Sequence, residues 1–371
     1  MKILFYTPVQ LASGGGCERW HCDITNSLKK QFRVETEIIS ANFGKANWSR
    51  PYVRTQLGSI PYTTINFPIL FGILIPTPSI FLFLLKKFKE ADTVHFIHGF
   101  AGQDIMIALL KLFTGKKVIV GHHAPIFHSS MFHNFYMRYI ARHVLRFFDF
   151  HQTLNSQDRE LLQKKWKIKN VYFIPSGVRI EKFLRVKHKI HNELIFLSVG
   201  RYSIQKGYDL AVEAISRFNK KFKHNLAKFL FVGNGELKNV IRKYAKQSRN
   251  IVDLGFIPYE KMPGLYARSD IFLLPSREEP FGLVLIEAWA SGIPVLATRT
   301  EGPKDMLKPD INGWFIEALN EDDILNGIIN IYKNYLTRKS YLDKFELNCR
   351  RTAKLFSIDT TAKRMQSSFF K

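Results

Sequence analysis

Apolar runs of strand length alternate with helical stretches along nearly the whole chain, and this alternation limits the fold to one class. One series covers the N-terminal half, and a second follows a looser, basic stretch at 177–192. The strand-like runs are KILFYTP, TVHFIH, KVIVGHH and NVYFIPS, then ELIFLSVGR, AKFLFVGNG, NIVDLGF and DIFLLPS. Because such alternation is typical of parallel sheets covered by helices, we predict an α/β protein with two Rossmann-like, doubly wound domains.

The domain boundaries follow from the loosening of this pattern. We expect a first domain at 1–185, a second at 186–355, and a C-terminal helix at 356–371 that returns to the first domain. A length of 371 residues suits two domains better than one core. Ligands of doubly wound sheets bind outside the carboxyl ends of the strands, so we expect the motifs at these ends to share one cleft between the domains.

The composition indicates a globular protein of a reducing compartment. Hydrophobic residues make up 46% and charged residues 23% of the chain, which excludes a disordered chain. The three cysteines (Cys17, Cys22 and Cys349) lack a paired spacing, so we expect no disulfide framework and a cytoplasmic location. The start, MKILFYTPVQ, has no pattern of a cleavable signal.

The net charge of +24 is the strongest global signal. Residues 105–170 hold eleven Lys/Arg against three Asp/Glu, a net of +8. Such an excess attracts nucleic acid, anionic lipid or phosphorylated substrates, but no nucleic-acid-binding signature accompanies it. The stretch 128–148 mixes Arg and His with aromatics at helical spacing. It is typical of a basic helix at an anionic membrane surface and equally of a half-buried helix.

The segment INFPILFGILIPTPSIFLFLL (65–85) has the length of a membrane span. Three prolines interrupt it, and no unbroken apolar run reaches about 18 residues. We therefore expect no span here. A buried loop followed by a core helix is one interpretation, and shallow insertion into a lipid surface is the other. We expect a peripheral protein at the cytosolic (inner) membrane face.

Three glycine-containing loops offer backbone N–H groups to a phosphate. They are SGGGCER (13–19) with Gly15 and Gly16, GNGE (233–236) with Gly233, and PFGL (280–283). Such loops let an anion approach the backbone closely, although each taken singly is also an ordinary structural turn. GNGE lacks the third glycine of a dinucleotide-binding fingerprint.

Cations and histidines stand beside these loops. In VGRYSIQKG (199–207), Arg201 and Lys206 follow a strand and suit a diphosphate, unless they are surface charges. The consecutive His122 and His123 end a strand, so their side chains point to opposite faces. No metal-ligand spacing is present, and we expect no bound metal.

The stretch EEPFGLVLIE (278–287) carries Glu279 and Glu287 around a Pro-Phe-Gly turn that opens a helix. With its neighbours it resembles the retaining GT-B glycosyltransferases that include glycogen-synthase-like and phosphatidylinositol-mannosyltransferase-like enzymes. The resemblance spans nearly the whole chain through GGGCER, FIHGF, VIVGHHA, IPSGV, VGRYSIQKG, FVGNGE, LGFIP, LYARSDIFLLPS, EEPFGLVLIEAWASGIPVLAT and EGPKDM.

This resemblance implies a GT-B fold and a hexosyltransferase that needs no metal or other cofactor. The donor would be a UDP-sugar or GDP-sugar bound by the second domain (186–355). The acceptor would be a hydroxyl of a lipid-linked or surface glycan bound by the first domain (1–185). Glu287 would bind the ribose hydroxyls and Glu279 the donor sugar, while Arg201 and Lys206 neutralise the departing diphosphate. His123 would contact the sugar or the reacting centre. Further donor contacts would come from Gly15, Gly16, Gly233, Gly255, Phe256, Ile257, Phe281, Gly282, Leu283 and Val284.

Some positions depart from the family pattern, and other functions stay open. Ser176 and Arg179 stand where the family often has Asn and Asp, and Asp305 stands where Glu is common. An oxidoreductase would need a complete G-x-G-x-x-G with a following acidic residue, which the chain lacks. A non-catalytic protein that binds sugar nucleotides, an epimerase or a phosphorylase remain alternatives.

Overall fold

The computed structural model of the chain describes residues 1–8, 16–43, 52–57, 60–67, 69–70, 73–74, 77–99, 102–124, 126, 131–187, 192–223 and 226–370. These residues divide into two compact units. Unit 1 comprises Met1–Gly177 and Ile358–Lys371, and unit 2 comprises Val178–Ser357. The predicted boundary was residue 185, with a last segment from 356.

The strands, in chain order, are β1 (Lys2–Thr7), β2 (Glu35–Phe43), β3 (Tyr52–Leu57), β4 (Ile60–Phe67), β5 (Ile69–Leu70), β6 (Ile73–Leu74), β7 (Thr93–Ile97), β8 (Lys117–His122), β9 (Phe150–Thr153), β10 (Val171–Phe173), β11 (Leu194–Val199), β12 (Ala227–Val232), β13 (Ile251–Gly255), β14 (Ile271–Leu274), β15 (Val295–Thr298) and β16 (Gly313–Ile316).

The helices, in chain order, are α1 (Gly16–Phe32), α2 (Pro78–Glu90), α3 (Gln103–Thr114), α4 (Met131–Tyr136), α5 (Arg142–Val144), α6 (Ser156–Glu160), α7 (Glu181–Leu184), α8 (Tyr208–Lys221), α9 (Lys238–Gln247), α10 (Met262–Tyr266), α11 (Leu283–Ala290), α12 (Glu301–Met306), α13 (Glu321–Thr337), α14 (Asp343–Leu355) and α15 (Ile358–Phe369). A π turn (Met137–Ala141) joins α4 to α5, and a 3-10 turn (Ile204–Lys206) precedes α8.

The sheet of unit 1 has eight strands in the order β10-β9-β8-β7-β1-β2-β4-β3. All neighbouring strands pair in parallel except β3 with β4, which is antiparallel at the edge. The strand order reverses between β1 and β7, because β2 follows on one side and β8 on the other. The carboxyl ends of β1 and β7 are therefore the point where a sheet of this kind offers a ligand crevice.

Both faces of this sheet are covered, as a parallel sheet requires. On β1, Leu4 and Tyr6 join the hydrophobic cluster that includes residues of α2 and α3, whereas Ile3 and Phe5 join the cluster of α1 and α15. This division follows from the two-residue period of a strand. Helix α2 begins at a sequence signal, since the Thr77 hydroxyl accepts a hydrogen bond from the Ile80 N–H at 3.3 Å and proline follows the cap.

The sheet of unit 2 has six parallel strands in the order β13-β12-β11-β14-β15-β16. Its order reverses between β11 and β14, which places a second crevice at the carboxyl ends of these strands. Aromatic side chains such as Phe196, Phe218 and Phe229 fill the core between the sheet and helices α8 and α13. The two doubly wound α/β sheets confirm the predicted fold class.

The sequence pattern missed part of unit 1. The strands β2 to β4 were not anticipated, although β2 and β4 pair along six residues beside β1. The predicted helix 128–148 is helical from Met131 to Phe147 and contains the π turn, while 128–130 lie outside the described residues. Within the apolar segment 65–85, helix α2 buries Ile80 and Phe83. This agrees with the interpretation that the segment ends in a core helix.

Candidate active site

The predicted donor residues of unit 2 gather at the carboxyl ends of β11 and β14, where the strand order reverses. Arg201 and Lys206 follow β11, and Glu279 follows β14. The 3-10 turn at 204–206 leads into Gly207, which has φ +66° and would place an added Cβ 1.9 Å from the Pro275 carbonyl oxygen. Only glycine fits this contact, so the two strand ends pack closely together.

The central contact of this site is an ion pair between Lys206 and Glu279. The Lys206 Nζ lies 2.6 Å from the Glu279 Oε2, and Glu279 is 7% exposed. A buried carboxylate needs such a partner, because leaving it unpaired costs several kcal/mol. An ammonium already held beside a carboxylate in this crevice is positioned for a second anionic group.

A salt bridge missed by the sequence analysis stabilises the loop that carries Lys206. Arg277 donates from its two terminal nitrogens to both carboxylate oxygens of Asp209, each at 2.7 Å, and also to the Ile204 carbonyl oxygen at 2.6 Å. Burial by itself would raise the pKa of Asp209. The hydrogen bonds and the charge of the Arg277 guanidinium outweigh this effect, so the pKa is lowered. No motif in the sequence pairs these residues, since they lie on separate elements.

Beside the Lys206 loop, Tyr208 carries a fully buried hydroxyl that has no hydrogen-bond partner. A Cβ added at Gly200 would lie 2.9 Å from this hydroxyl and 3.8 Å from the Lys206 Cε. Burial raises the pKa of Tyr208, and the nearby Glu279 charge raises it further. The hydroxyl therefore stays protonated and keeps a hydrogen to donate.

The second predicted carboxylate, Glu287, lies in α11 and is 2% exposed. It accepts a hydrogen bond from the Tyr266 hydroxyl at 3.0 Å. Gly282, with φ +94°, precedes the helix, and no side chain caps it. The half-buried Leu283 and Val284 form the first turn. The uncapped start of this helix offers backbone N–H groups to a polar ligand.

Further residues predicted to contact the donor lie at the ends of β12 and β13. Phe256 is 74% exposed directly after β13, so an aromatic face is available for stacking. Below it, Asp253 accepts hydrogen bonds from the Tyr202 hydroxyl at 2.9 Å and from the Gly255 N–H at 2.9 Å. A Cβ at Gly233 would lie 1.9 Å from the Gly200 carbonyl oxygen, so this glycine serves packing.

The remaining predicted residues differ in their exposure and position. Arg201 is exposed and forms no ion pair with the residues the structure describes. Ile257 follows Phe256 and is half-buried, while Phe281 is 4% exposed. In unit 1, Gly16 begins α1, and Gly15 lies outside the described residues.

His123 follows β8 in unit 1 and packs edge-on against Trp20, with ring centroids 4.4 Å apart. Burial is the main cause that lowers its pKa well below 6.5, and the neighbouring His95 and His21 add to it. The side chain is therefore a neutral imidazole near pH 7. The preceding His122 stacks on His151 on the opposite face of the sheet, as the strand period predicts.

Among the described residues, no group of three or more His, Cys, Asp or Glu side chains is arranged to hold a metal ion. Within the same residues, no helix combines the length and the apolar character needed to cross a membrane.

Comparison with known sequences finds a family that most of the second unit matches. Residues 179–347 match the family of glycosyl transferases group 1. The chain is 29% identical over 163 residues to an uncharacterized glycosyltransferase of Methanocaldococcus jannaschii, covering 42% of this chain and 41% of that protein. It is 29% identical over 217 residues to the UDP-Gal:alpha-D-GlcNAc-diphosphoundecaprenol alpha-1,3-galactosyltransferase of Escherichia coli, covering 53% of each. The alignments span about half the length of these relatives.

Solved structures align with nearly the whole chain. Anabaena HepE, solved in complex with UDP, matches with a TM-score of 0.77 and 16% identity over 100% of both chains. Sucrose-phosphate synthase from Thermosynechococcus elongatus matches with a TM-score of 0.75 and 18% identity over 99% of this chain and 98% of the other. At these identities the likeness concerns the fold. The chain therefore has a GT-B fold, and its residues 179–347 match the group 1 glycosyltransferases.

Proposed function

We propose that the protein transfers a hexose-type sugar from a nucleoside-diphosphate sugar to a hydroxyl acceptor, with retention of anomeric configuration and without a metal ion. The observation that carries the proposal is the Lys206–Glu279 ion pair at the strand-order reversal of unit 2. Glu287 lies on the helix that follows the same loop, and all three residues fall within the part of the chain that matches the family.

In this proposal the site accelerates the reaction mainly by stabilising the departing diphosphate. Cleavage of the bond between sugar and phosphate builds negative charge on the leaving group. Lys206 and the exposed Arg201 supply positive charge, and the buried Tyr208 hydroxyl is a neutral donor near Lys206. Donors already in place in a site of low dielectric constant are each worth about 10²–10³ in rate.

The two glutamates have separate roles in this proposal. Glu287, oriented by Tyr266, accepts hydrogen bonds from the ribose hydroxyls of the donor. Glu279 accepts from hydroxyls of the donor sugar while its other contact stays with Lys206. His123, as a neutral imidazole, contacts the sugar or the reacting centre without adding a charge. The exposed Phe256 and the backbone at Gly255 and Ile257 contact the base.

Calorimetry without divalent metal tests the donor site. The purified protein is titrated with UDP-, GDP- and ADP-sugars, and we expect one nucleotide series to bind. Glu287→Ala should lose this binding, whereas Glu317→Ala, which removes a surface glutamate paired with Arg299, should retain it. Binding of NAD in place of every sugar nucleotide would overturn the proposal.

The stereochemistry needs its own experiment once a donor is known. The anomeric configuration of the product is read by NMR after transfer from an α-linked donor in the presence of EDTA. Retention predicts an α-linked product and a rate that EDTA leaves unchanged. A β-linked product would exclude the retaining mechanism.

The acceptor in this proposal is a lipid-linked or surface glycan at the cytosolic membrane face. Support comes from a surface of unit 1 that we call the apolar–basic surface. Its exposed apolar side chains lie on α2, α3 and the helical stretch 131–147, and they are Leu82, Ile105, Leu109, Leu112, Phe113, Met131, Phe132, Phe135, Tyr139, Ile140 and Phe147. Exposed basic side chains on α2 and the 131–147 stretch are Lys86, Lys89, Arg138, His143 and Arg146.

An exposed apolar face with basic neighbours suits an anionic lipid surface. Co-sedimentation with neutral and with anionic vesicles tests this assignment. We expect binding only to the anionic vesicles, and its loss in Leu112→Glu/Phe113→Glu. The matched control Leu347→Glu changes an exposed leucine of unit 2 and should leave binding intact. Equal sedimentation with neutral and anionic vesicles would remove the membrane part of the proposal.

A further inference from the structure

Asp253 is a buried carboxylate in β13 whose hydrogen bonds join separate elements of unit 2. Its side chain is 7% exposed. The Oδ1 atom accepts hydrogen bonds from the Tyr202 hydroxyl and from the Gly255 N–H, each at 2.9 Å. The Oδ2 atom accepts from the Arg242 Nε at 3.0 Å. Burying a carboxylate is costly, and these donors from the β11 loop, the end of β13 and α9 offset that cost.

The Asp253 carboxylate is ionised near neutral pH. Burial by itself would raise its pKa, but the hydrogen bonds from Arg242, Gly255 and Tyr202 outweigh this effect, so the pKa is lowered. Burial also raises the pKa of Tyr202, and its hydrogen bond to Asp253 raises it further. The Tyr202 hydroxyl therefore stays protonated and donates to the carboxylate.

The turn at the end of β13 depends on the Asp253 side chain. Gly255 has φ +64° and no heavy atom within 4 Å of an added Cβ, so the left-handed conformation, and not a close approach, favours glycine here. Asp253 closes the turn on the N–H two residues later, as in an Asx turn. The register of β12 against β13 shifts between Phe231 and Val232, and Leu254 is skipped in the pairing. Such a bulge redirects the end of a strand.

Both polar backbone groups of Gly255 are held within unit 2. Its N–H donates to Asp253, and its carbonyl oxygen accepts a hydrogen bond from the Gly233 N–H at 2.9 Å. The next residue, Phe256, is 74% exposed, so few side-chain contacts fix its ring. The direction of the Phe256 ring therefore depends on the conformation of Gly255, which Asp253 holds.

Tyr202 extends this arrangement to the loop after β11. It is 0% exposed, and its ring packs edge-on against Tyr208 with centroids 5.7 Å apart. One carboxylate thus joins the β11 loop to the turn after β13. We propose that Asp253 is a positioning residue for base recognition, which holds the Gly255 turn so that Phe256 and the backbone beside it meet the nucleobase of the donor. The inference rests on the proposed transferase function and assigns a determinant of its base preference.

Substitutions at Asp253 can separate its contacts because the donors use different oxygens. Asp253→Ala removes all of them. Asp253→Asn keeps Oδ1, and with it the bonds from Tyr202 and Gly255, and loses only the ion pair with Arg242. The matched control Arg242→Ala loses the same ion pair. The Arg242 side chain is 56% exposed, and exposed ion pairs contribute little.

Calorimetry with UDP, GDP, ADP and inorganic pyrophosphate measures the effect on the full chain. We expect Asp253→Ala to bind the preferred nucleotide about tenfold more weakly and to lose most of its preference over the other two. Pyrophosphate has no base, so its affinity should not change. Asp253→Asn and Arg242→Ala should stay within about twofold of the wild type. In steady-state kinetics, Asp253→Ala should raise the donor KM and leave kcat unchanged.

The base preference separates positioning from a merely structural role. A structural role would weaken UDP, GDP and ADP by the same factor and would leave their ratio unchanged. Tyr202→Phe is a second variant that keeps the ring and removes one of the two hydrogen bonds to Oδ1. It should weaken the preferred nucleotide about threefold and shift the ratio in the same direction, which keeps the test decisive where Asp253→Ala does not fold.

Three outcomes would overturn the inference. An unchanged ratio of nucleotide affinities in Asp253→Ala and Tyr202→Phe would remove it and leave the proposed function standing. Equal losses in Asp253→Asn and Asp253→Ala would assign the effect to the Arg242 ion pair instead. Absence of nucleotide binding by the wild type would defeat the proposed function, and the inference with it.

Discussion

The points of strand-order reversal in the two units differ in how their polar groups are satisfied. In unit 2, Glu279 is held by Lys206 and Glu287 by Tyr266. In unit 1, His98, Gln103 and Asp104 keep unpaired atoms. A site whose charges are already paired is ready for one defined ligand, because its groups need little reorganisation. Unpaired buried groups lack this compensation. The same topology thus holds a paired polar cluster in unit 2 and an incompletely paired one in unit 1.

The largest effect is expected when the Lys206–Glu279 ion pair of unit 2 is broken. Lys206→Ala should lower kcat/KM by about 10²–10³, because it removes a charge that stabilises the departing diphosphate and leaves Glu279 buried without its partner. Steady-state kinetics with the donor found by calorimetry measures this loss. Lys228→Ala removes a lysine from an exposed pair with Glu193 and should leave the rate unchanged. Near-normal turnover in Lys206→Ala would contradict the proposed role.

The buried histidines of unit 1 predict a loss of stability in acid. Burial lowers the pKa of His95 to about 4 and that of His151 to about 3, below the unfolded value near 6.5. The unfolded chain therefore binds more protons below pH 6.5, and stability falls as the pH drops from 6.5 towards 4. For His95 alone the loss at pH 5 is about 2 kcal/mol.

Thermal unfolding between pH 7.5 and pH 5 measures this slope. His95→Gln should flatten it, because one titrating group is gone. His143→Gln changes an exposed histidine and should keep the wild-type slope. A Tm that does not fall between pH 6.5 and pH 5 would show that these histidines are not neutral by burial.

A smaller loss of donor affinity is expected when Tyr266, which orients Glu287, is changed. Tyr266→Phe removes the hydrogen bond to Glu287 at 3.0 Å. Hydrogen bonds to charged groups are worth about 1.5–3 kcal/mol, and since Tyr266 acts through Glu287 we expect the lower end, about a tenfold loss of donor affinity. Calorimetry at fixed pH measures it. A further loss of the same size when Tyr266→Phe is added to Glu287→Ala would show that the tyrosine does not act through Glu287.

The smallest expected effect concerns the base. Phe256 is 74% exposed, so stacking on one of its faces should contribute about 1 kcal/mol. Phe256→Ala should therefore weaken nucleotide binding about fivefold, and Phe256→Leu less. Competition between UDP and GDP on both variants measures the contribution. No change in either variant would place the base elsewhere.

The sequence allowed much of unit 2 to be predicted and less of unit 1. The strands β11 to β14 were expected from apolar runs bounded by glycine or proline, and the loops that carry Lys206 and Glu279 were singled out at their ends. The strands β2 to β4 were missed because ETEIISANF and IPYTTINF mix polar and apolar residues without a clear period. Their pairing depends on β1, which lies far away in the chain.

The partners of the site residues were beyond prediction. Arg277 and Asp209 are 68 positions apart, and Lys206 and Glu279 are 73 positions apart. No local pattern joins such residues, since their contact arises only when β11 and β14 lie side by side. The unpaired atoms of Tyr6 and Gln103 could not be predicted either, because the sequence does not show which polar groups form hydrogen bonds in the folded chain.

By itself, the sequence determined the α/β class, the two-domain organisation and the identity of the groups that carry charge. Local propensity and hydrophobic period are properties of neighbouring residues, and glycine turns and charges can be read at their positions. The tertiary structure alone decided that Glu279 is paired with Lys206 while Asp104 keeps one oxygen unpaired. The physical reason is that burial and hydrogen bonding are set by the packing of distant segments, and these determine what each polar group can bind.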